Sequence, residues 1–280
     1  MHTFKQFLLE AAVDKRPSYE KLEVDAGIKF LNTHCKNALW MLQENRPIYR
    51  GDPMGPAWSE RIGFVVVDST KTARKSQNTS NWYTAILDAH PDRQHFPKRS
   101  RSFIATTDKI YAQDYILRHS DLSIIIPTDT AKIGLVNDED MWNTPLKGIP
   151  GWRGNIEDFN HVLTQFAKSL FDTPTVTVQE LEMLDVQLKK GNGMCIKALV
   201  SAMKDFTSIS VTQKDIDELS KNFLSIIWNA YSEGSTGHSV VTTATMPHRY
   251  DGEVWVGGEV IMISLPMWKQ LRQEIKASSS

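Results

Sequence analysis

The sequence predicts an α+β fold, because segments with strand character lie on both sides of a middle that has helical periodicity. Short runs rich in β-branched residues occur before residue 130 and again after residue 250, whereas apolar positions recur at three- and four-residue steps between about 138 and 231. Strands and helices do not alternate as βαβ units, so the order fits a doubly wound parallel sheet less well. With 280 residues and 41% hydrophobic content, the chain is long enough to bury a large core.

Composition and charge narrow the function classes. The 32 basic and 33 acidic side chains give a formal net charge of -1, so the charge of the whole protein does not drive binding to nucleic acid or to an anionic membrane. The longest apolar runs, Leu122–Pro127 and Val260–Leu265, are far shorter than the roughly 20 residues of a membrane-spanning helix. Cys35 and Cys195 are distant in sequence, and the histidines lack metal-ligand spacing. We therefore expect an intracellular protein with two buried free thiols and no metal.

Residues 1–12 have the pattern of a short amphipathic helix and lack the apolar region of a secretory signal. They resemble the leader of head-internal proteins of large tailed phages, in which a short helix rich in Lys and Phe ends in a Leu-x-Glu cleavage site, here Leu8-Leu9-Glu10. The resemblance implies a mature chain that begins at Ala11 and is incorporated into the phage head. An ordinary N-terminal helix that docks on the core is the alternative. Residues 13–280 are expected to form one domain.

A long helix is predicted from Ser18 to about Glu44, because apolar residues recur there with helical spacing. Pro47 ends the helix, and Pro47–Gly51 has the character of a short strand with Arg50 at its end. Arginine binds phosphate oxygens with a planar fork of donors, and a following glycine lets the backbone approach a ligand closely. Arg50 and Gly51 are therefore candidates for binding a diphosphate, with a surface arginine in a salt bridge as the alternative.

Seven further segments have clear periodicity. Four are predicted strands, and three, between residues 138 and 231, are predicted helices. In chain order the strands are Phe64–Val67, Phe103–Thr107, Ser123–Pro127 and the β-rich run Glu253–Leu265; the helices are Ile156–Phe171, Val178–Lys189 and Ile216–Tyr231.

Basic residues outnumber acidic ones between Glu60 and Arg101, and we expect a polar, exposed loop over much of this stretch. Aromatic and basic side chains that alternate in a loop can stack on bases and bind phosphates. The sequence therefore suggests a nucleic-acid or acceptor contact there, with a solvated charged loop as the alternative. The candidate contact residues are Trp82, Tyr83, Arg99 and Arg101.

Three separated blocks carry a family resemblance. The first block is the strand end Tyr49-Arg50-Gly51. The second runs from Phe103-Ile-Ala-Thr-Thr107 through Ala112-Gln-Asp-Tyr115 to Ile124–Lys132. The third is Tyr250-Asp-Gly-Glu-Val-Trp-Val-Gly-Gly-Glu259. In this order they resemble the ADP-ribosyltransferase family that bears an Arg, a Ser-Thr-Ser strand and a catalytic Glu. Two departures are Ala105, which replaces the first serine of the triplet, and Asp129, which replaces a glycine in the following turn.

The resemblance implies a split β-sheet core with an N-terminal helix and a helical insertion at about 138–231. It also implies that NAD is the substrate, with Glu253 as the catalytic carboxylate and Asp251 beside the acceptor. Glu259 is a less favoured substitute for Glu253. The implied cofactor-binding residues are Arg50, Gly51, Thr106, Thr107 and Tyr115, and no metal is implied.

The implied activity is mono-ADP-ribosyl transfer: cleavage of the bond between nicotinamide and ribose in NAD, followed by transfer to a host protein or nucleic acid. The expected location is the cytoplasm of the infected bacterial host or the interior of the virion head. A non-catalytic head-internal or DNA-associated phage protein is the alternative. The two hypotheses differ in whether Arg50, Thr106 and Glu253 converge in the folded chain.

Overall fold

The computed structural model describes residues 19–51, 63–71, 81–113, 122–171, 176–206 and 211–279. The predicted leader and Tyr115 lie outside these ranges. The chain divides into two compact units. The sheet unit comprises Met1–Thr79, Phe96–Glu139 and Ser239–Ser280, and the helical unit comprises Ser80–His95 and Asp140–His238. The helical unit therefore includes a segment on the N-terminal side of Phe96 as well as residues from the middle of the chain.

Nine strands of the described residues form one antiparallel sheet in the sheet unit, so the α+β class is confirmed. The spatial order is β1-β3-β11-β5-β2-β4-β10-β6-β9. A two-stranded ribbon, β7-β8, lies in the helical unit. The strands are β1 Tyr19–Leu22, β2 Ile48–Gly51, β3 Phe64–Asp68, β4 Phe103–Thr106, β5 Leu122–Pro127, β6 Lys132–Leu135, β7 Pro145–Leu146, β8 Gly154–Asn155, β9 Ser239–Thr242, β10 Glu253–Gly257 and β11 Glu259–Ser264.

The position of each strand in the sheet follows from its side chains. Every residue of β5 is buried, as expected for an uninterrupted apolar run in the middle of a sheet, whereas β9 at one edge is exposed at both of its ends. The predicted strands at β2, β3, β4 and β5 are confirmed, and the last predicted run forms two strands, β10 and β11, which pair with different neighbours in the sheet.

The N-terminal helix is shorter than predicted and is interrupted. The segment begins as β1 and continues as α1 (Val24–His34), a 3₁₀ turn and α2 (Leu39–Glu44), with a non-helical residue at Cys35. A tertiary contact accounts for the break: the Asp129 backbone N–H donates to the His34 carbonyl at 2.7 Å, and the Asp129 carboxylate accepts from the Asn37 N–H at 2.8 Å. The Asp129 turn thus satisfies backbone groups that a continuous helix would pair internally.

Three long helices of the helical unit begin at residues with capping side chains. Thr177 and Glu180 form a capping box, as do Thr212 and Asp215, and Asn155 accepts a hydrogen bond from the Asp158 N–H. The Thr212 hydrogen bonds lower the pKa of Asp215. The three predicted helices are confirmed within a few residues at their ends. In chain order the remaining helices are α3 Trp82–Ala89, α4 Lys109–Gln113, α5 Ile156–Lys168, α6 Val178–Lys189, α7 Gly193–Phe206, α8 Gln213–Ala230, α9 Glu233–Thr236 and α10 Leu265–Ser279; α4 and α10 belong to the sheet unit.

Helix α8 contains a kink that a neighbouring helix stabilises. Asn222 has non-helical dihedral angles of φ -131° and ψ 23°. The buried Asp185 carboxylate of α6 accepts a hydrogen bond from the Leu224 N–H at 3.1 Å and one from Lys189 at 2.7 Å. Asp185 therefore provides a partner at the kink and connects α6 to α8. Within the ranges that the structure describes, no helix combines the length and apolar character needed to cross a membrane.

Candidate active site

The three sequence blocks lie on neighbouring strands. Strand β4, which carries Thr106, lies between β2, which carries Arg50, and β10, which begins at Glu253. In the register, Tyr49 and Glu253 are both direct partners of Thr106. Residues separated by about 200 positions in sequence therefore lie side by side at one end of these strands.

The two threonines hold the backbone that precedes Glu253. The hydroxyls of Thr106 and Thr107 donate to the Gly252 carbonyl at 3.2 and 3.4 Å, and the Gly252 N–H donates to the Thr107 hydroxyl at 2.9 Å. The Thr107 N–H also reaches the Gly252 carbonyl, at 3.1 Å. These hydrogen bonds fix the Gly252 peptide and so position Glu253 through the main chain.

Further hydrogen bonds restrain the main chain at Glu253. The Glu253 N–H donates to the Asp138 carbonyl at 3.4 Å, and the Tyr250 hydroxyl donates to the Glu253 carbonyl at 2.8 Å. Burial raises the pKa of Tyr250, so the hydroxyl stays protonated as a donor. Gly252 has φ +152°, and a Cβ there would lie 2.8 Å from the Asp138 carbonyl oxygen. Glycine is thus required at the point where the chain enters β10.

The Glu253 carboxylate is buried and forms an ion pair with Arg99. The Glu253 Oε1 atom lies 2.7 Å from Arg99 Nη1, and the side chains are 4% and 1% exposed. A carboxylate removed from water is destabilised unless a cation or several donors compensate for the lost hydration. Arg99 supplies that compensating charge.

Arg99 is itself held by an aromatic platform. Its guanidinium carbon lies 5.5 Å from the centroid of the Trp255 ring. The Trp255 indole N–H donates to the Pro97 carbonyl at 3.0 Å, and the Phe96 ring stacks on Trp255 with centroids 5.9 Å apart. A Cβ at Gly134 would lie 2.1 Å from the Trp255 ring, so the indole requires glycine on the adjacent strand β6. Trp255 thus connects residues 96–99 to the sheet face that bears Glu253.

Arg50 lies on the other face of the sheet. Its guanidinium is 5.3 Å from the Phe103 ring centroid, and it donates to the Ile104 carbonyl at 2.8 Å. Phe103 is paired with Val256, and side chains alternate along a strand, so Phe103 and Glu253 point to opposite faces. The structure therefore brings the strands of Arg50 and Glu253 together but separates their charged groups, so the expected convergence of Arg50 with Thr106 and Glu253 is not observed. Gly51 is buried at the end of β2, opposite Leu122.

The two other candidate carboxylates are placed differently. Asp251 is exposed immediately before the braced Gly252 peptide, where a second substrate could reach it. Glu259 begins β11 beside Asp68, beyond the far end of β10 from Glu253. Glu259 cannot substitute for Glu253 from that position.

The predicted nucleic-acid contact is wrong for three of its four residues. Trp82 and Tyr83 lie in helix α3 and are fully buried, with the Tyr83 ring 4.5 Å from that of Trp142, and Arg99 is buried against Glu253. Arg101 alone is exposed, and it donates to the Thr70 carbonyl at 3.3 Å. The segment 81–101 forms α3 and short 3₁₀ turns because its aromatic residues are core residues and not a stacking surface.

The sequence suggested Arg99 only as a nucleic-acid or acceptor contact, and it gave Trp255 and Tyr250 no role of their own at the site. Arg99 stands in a run of basic residues that indicates solvent exposure, so no local signal predicts its burial. Glu253 and Trp255 are two residues apart in a predicted strand, so both side chains are expected on one face of it. This spacing was the one signal in the sequence that linked Trp255 to Glu253.

In the described part of the chain, no group of three or more His, Cys, Asp or Glu side chains is arranged to hold a metal ion. Comparisons with protein-family models, with curated proteins and with solved structures give no match. The candidate site is therefore defined by the geometry of this chain alone.

Proposed function

We propose that the protein is a mono-ADP-ribosyltransferase that cleaves NAD and transfers ADP-ribose to a host protein or nucleic acid. The observation that supports this function best is the adjacency of β2, β4 and β10, which unites the three blocks of the family resemblance in one part of the sheet. Thr106 stands directly opposite Glu253, and both threonines brace the peptide before it. A rigid main chain beneath a carboxylate is what electrostatic catalysis requires.

In the proposed reaction the carboxylate of Glu253 acts on the ribose of NAD. As the bond between nicotinamide and the anomeric carbon breaks, positive charge develops on the ribose, and the carboxylate stabilises it. The electron pair of the breaking bond leaves with nicotinamide, which is already cationic and needs no protonation. A nucleophile of the acceptor then forms the new bond to the anomeric carbon, and the exposed Asp251 takes up its proton.

The geometry places two demands on substrate binding. Glu253 is 3% exposed, so the residues that cover it must move aside before NAD reaches the carboxylate. Arg50 lies over Phe103 on the face opposite Glu253, so its proposed role as the phosphate anchor requires the side chain to leave that ring and reach past the end of the strand. The second rearrangement is the larger one, because the two charged groups start on opposite faces of the sheet.

The test is Glu253→Gln, which keeps the size of the side chain and removes its charge. We expect the rate of NAD cleavage to fall by on the order of a hundredfold or more, with NAD affinity within a few fold of wild type. Release of nicotinamide from labelled NAD, with and without host lysate, measures cleavage and transfer. Glu259→Gln is the matched control, because it neutralises another strand-initial glutamate of the same unit. Equal activity of Glu253→Gln and wild type would refute the proposal.

A second candidate, a non-catalytic head-internal or DNA-associated phage protein, has one specific observation in its favour. The Arg99–Glu253 pair is as buried as a structural ion pair in a protein core. This hypothesis expects no NAD cleavage by the wild type under any condition. It also expects Glu253→Gln to lower stability, because the buried Arg99 loses its counter-charge.

A further inference from the structure

We infer that Arg99 is a positioning residue for the proposed reaction: it fixes the carboxylate of Glu253 in one orientation on the Trp255 face of the sheet. The inference rests on the proposed function and adds to it a residue outside the three blocks of the family resemblance. Arg99 does not contact NAD in this scheme, and it acts only through Glu253.

The contacts of Arg99 support this role. One nitrogen of its guanidinium lies 2.7 Å from Glu253 Oε1, while the guanidinium carbon lies over the Trp255 ring, 5.5 Å from its centroid. A planar cation placed between a carboxylate and an aromatic face has little rotational freedom. Because Glu253 and Trp255 are two residues apart on β10, the strand itself sets the distance between the two contacts.

The segment that bears Arg99 is also fixed. The Ser102 hydroxyl donates to the Lys98 carbonyl at 2.7 Å, and the Arg101 N–H donates to the same carbonyl at 2.9 Å. Pro97 is bonded to Trp255 through its carbonyl, and a Cβ at Gly257 would lie 2.4 Å from the Pro97 Cβ. The 3₁₀ turn at Arg99–Arg101 is thus closed on the Lys98 carbonyl and held against β10 at Pro97.

The role of Arg99 has a consequence for the kinetics. Arg99 acts through Glu253, whose carboxylate stabilises charge that develops only in the transition state. Loss of an interaction that is made only in the transition state lowers kcat without a matching change in substrate affinity. Removal of Arg99 should therefore lower kcat at unchanged NAD affinity, whereas a general loss of structure should weaken NAD binding as well.

The experiment compares Arg99→Gln, which is neutral, with Arg99→Lys, which retains the charge without the planar fork. For Arg99→Gln we expect kcat for NAD cleavage at pH 7.5 to fall at least about tenfold, with NAD affinity within about threefold of wild type. For Arg99→Lys we expect a kcat between those of Arg99→Gln and wild type. Arg93→Gln is the matched control: Arg93 is equally buried but belongs to the helical unit, so its loss should lower stability and leave the kcat of the folded protein unchanged.

The outcomes separate the two proposals. An inactive wild type overturns the proposed function, and the role of Arg99 with it. An active wild type with an unchanged or higher kcat in Arg99→Gln, or with NAD affinity in that variant lowered as much as kcat, overturns the positioning role alone. If Arg99→Gln does not fold, Arg99→Lys decides: a lower kcat at unchanged NAD affinity supports the role, and a wild-type kcat overturns it.

Discussion

The sheet unit and the helical unit depend on different kinds of interaction. In the sheet unit, neighbouring strands come from distant parts of the sequence, and a buried ion pair joins residues 99 and 253. In the helical unit, helix starts are set by capping side chains that lie three residues from the groups they bond. The candidate site therefore lies in the unit whose contacts join residues that are distant in sequence.

Each unit contains one buried thiol that can report on it. Cys35 lies in the sheet unit and Cys195 in the helical unit, and both are fully buried. Burial raises the pKa of Cys35 to about 12 and that of Cys195 to about 11, from an ordinary value of 9.0. Thiolates are the reactive form, so neither cysteine should react with an alkylating reagent until its unit opens. The stability that these thiols contribute is complete below about pH 9 and is lost as pH rises toward their folded values.

The largest effect is expected from Phe166→Ala in the helical unit. Phe166 of α5 packs edge to face on Phe223 of α8, with centroids 5.7 Å apart, and both rings are fully buried. The cavity should lower the free energy of unfolding by about 3–5 kcal/mol. Mass spectrometry after pulsed alkylation should show faster labelling of Cys195 and little change at Cys35. Equally faster labelling of both thiols would mean that the two units unfold together, which would contradict the distinction between them.

An intermediate effect is expected from Arg50→Ala in the sheet unit. If Arg50 leaves Phe103 to anchor a phosphate of NAD, its loss should weaken NAD binding by about 1.5–3 kcal/mol. Calorimetry measures this directly, and Arg50→Lys should recover part of the affinity because it retains the charge. Identical affinities of wild type and Arg50→Ala would leave Arg50 with only its contact to Phe103.

The smallest effect is expected from Thr177→Ala, which removes the capping box of α6. The Thr177 hydroxyl accepts from the Glu180 N–H at 3.3 Å, and the Glu180 carboxylate accepts from the Thr177 N–H at 3.1 Å. Loss of the hydroxyl should cost about 1 kcal/mol in thermal or urea unfolding. Thr177→Ser retains the hydroxyl and should be close to wild type. A destabilisation of several kcal/mol would show that helix starts in this unit depend on more than local capping.

The predicted structure agrees with the observed one where the interactions are local in sequence, and it differs where they join distant residues. Helix α6 has the predicted bounds, because its periodicity and its capping box are both local. The first predicted helix fails at Cys35, because the turn at Asp129, about ninety residues away, bonds to the end of α1. Local pattern cannot include a partner that only the folded chain provides.

The amino-acid sequence by itself determined the α+β class, the strands that form the middle of the sheet and the bounds of helix α6. These features depend on periodicity, on β-branched runs and on short-range hydrogen bonds, all of which are set by residues close together in sequence. Only the tertiary structure decided which face of the sheet each charged group occupies. It buried Arg99 against Glu253 and placed Arg50 on Phe103, because burial of a charge depends on a partner from another strand or turn and not on its own neighbours.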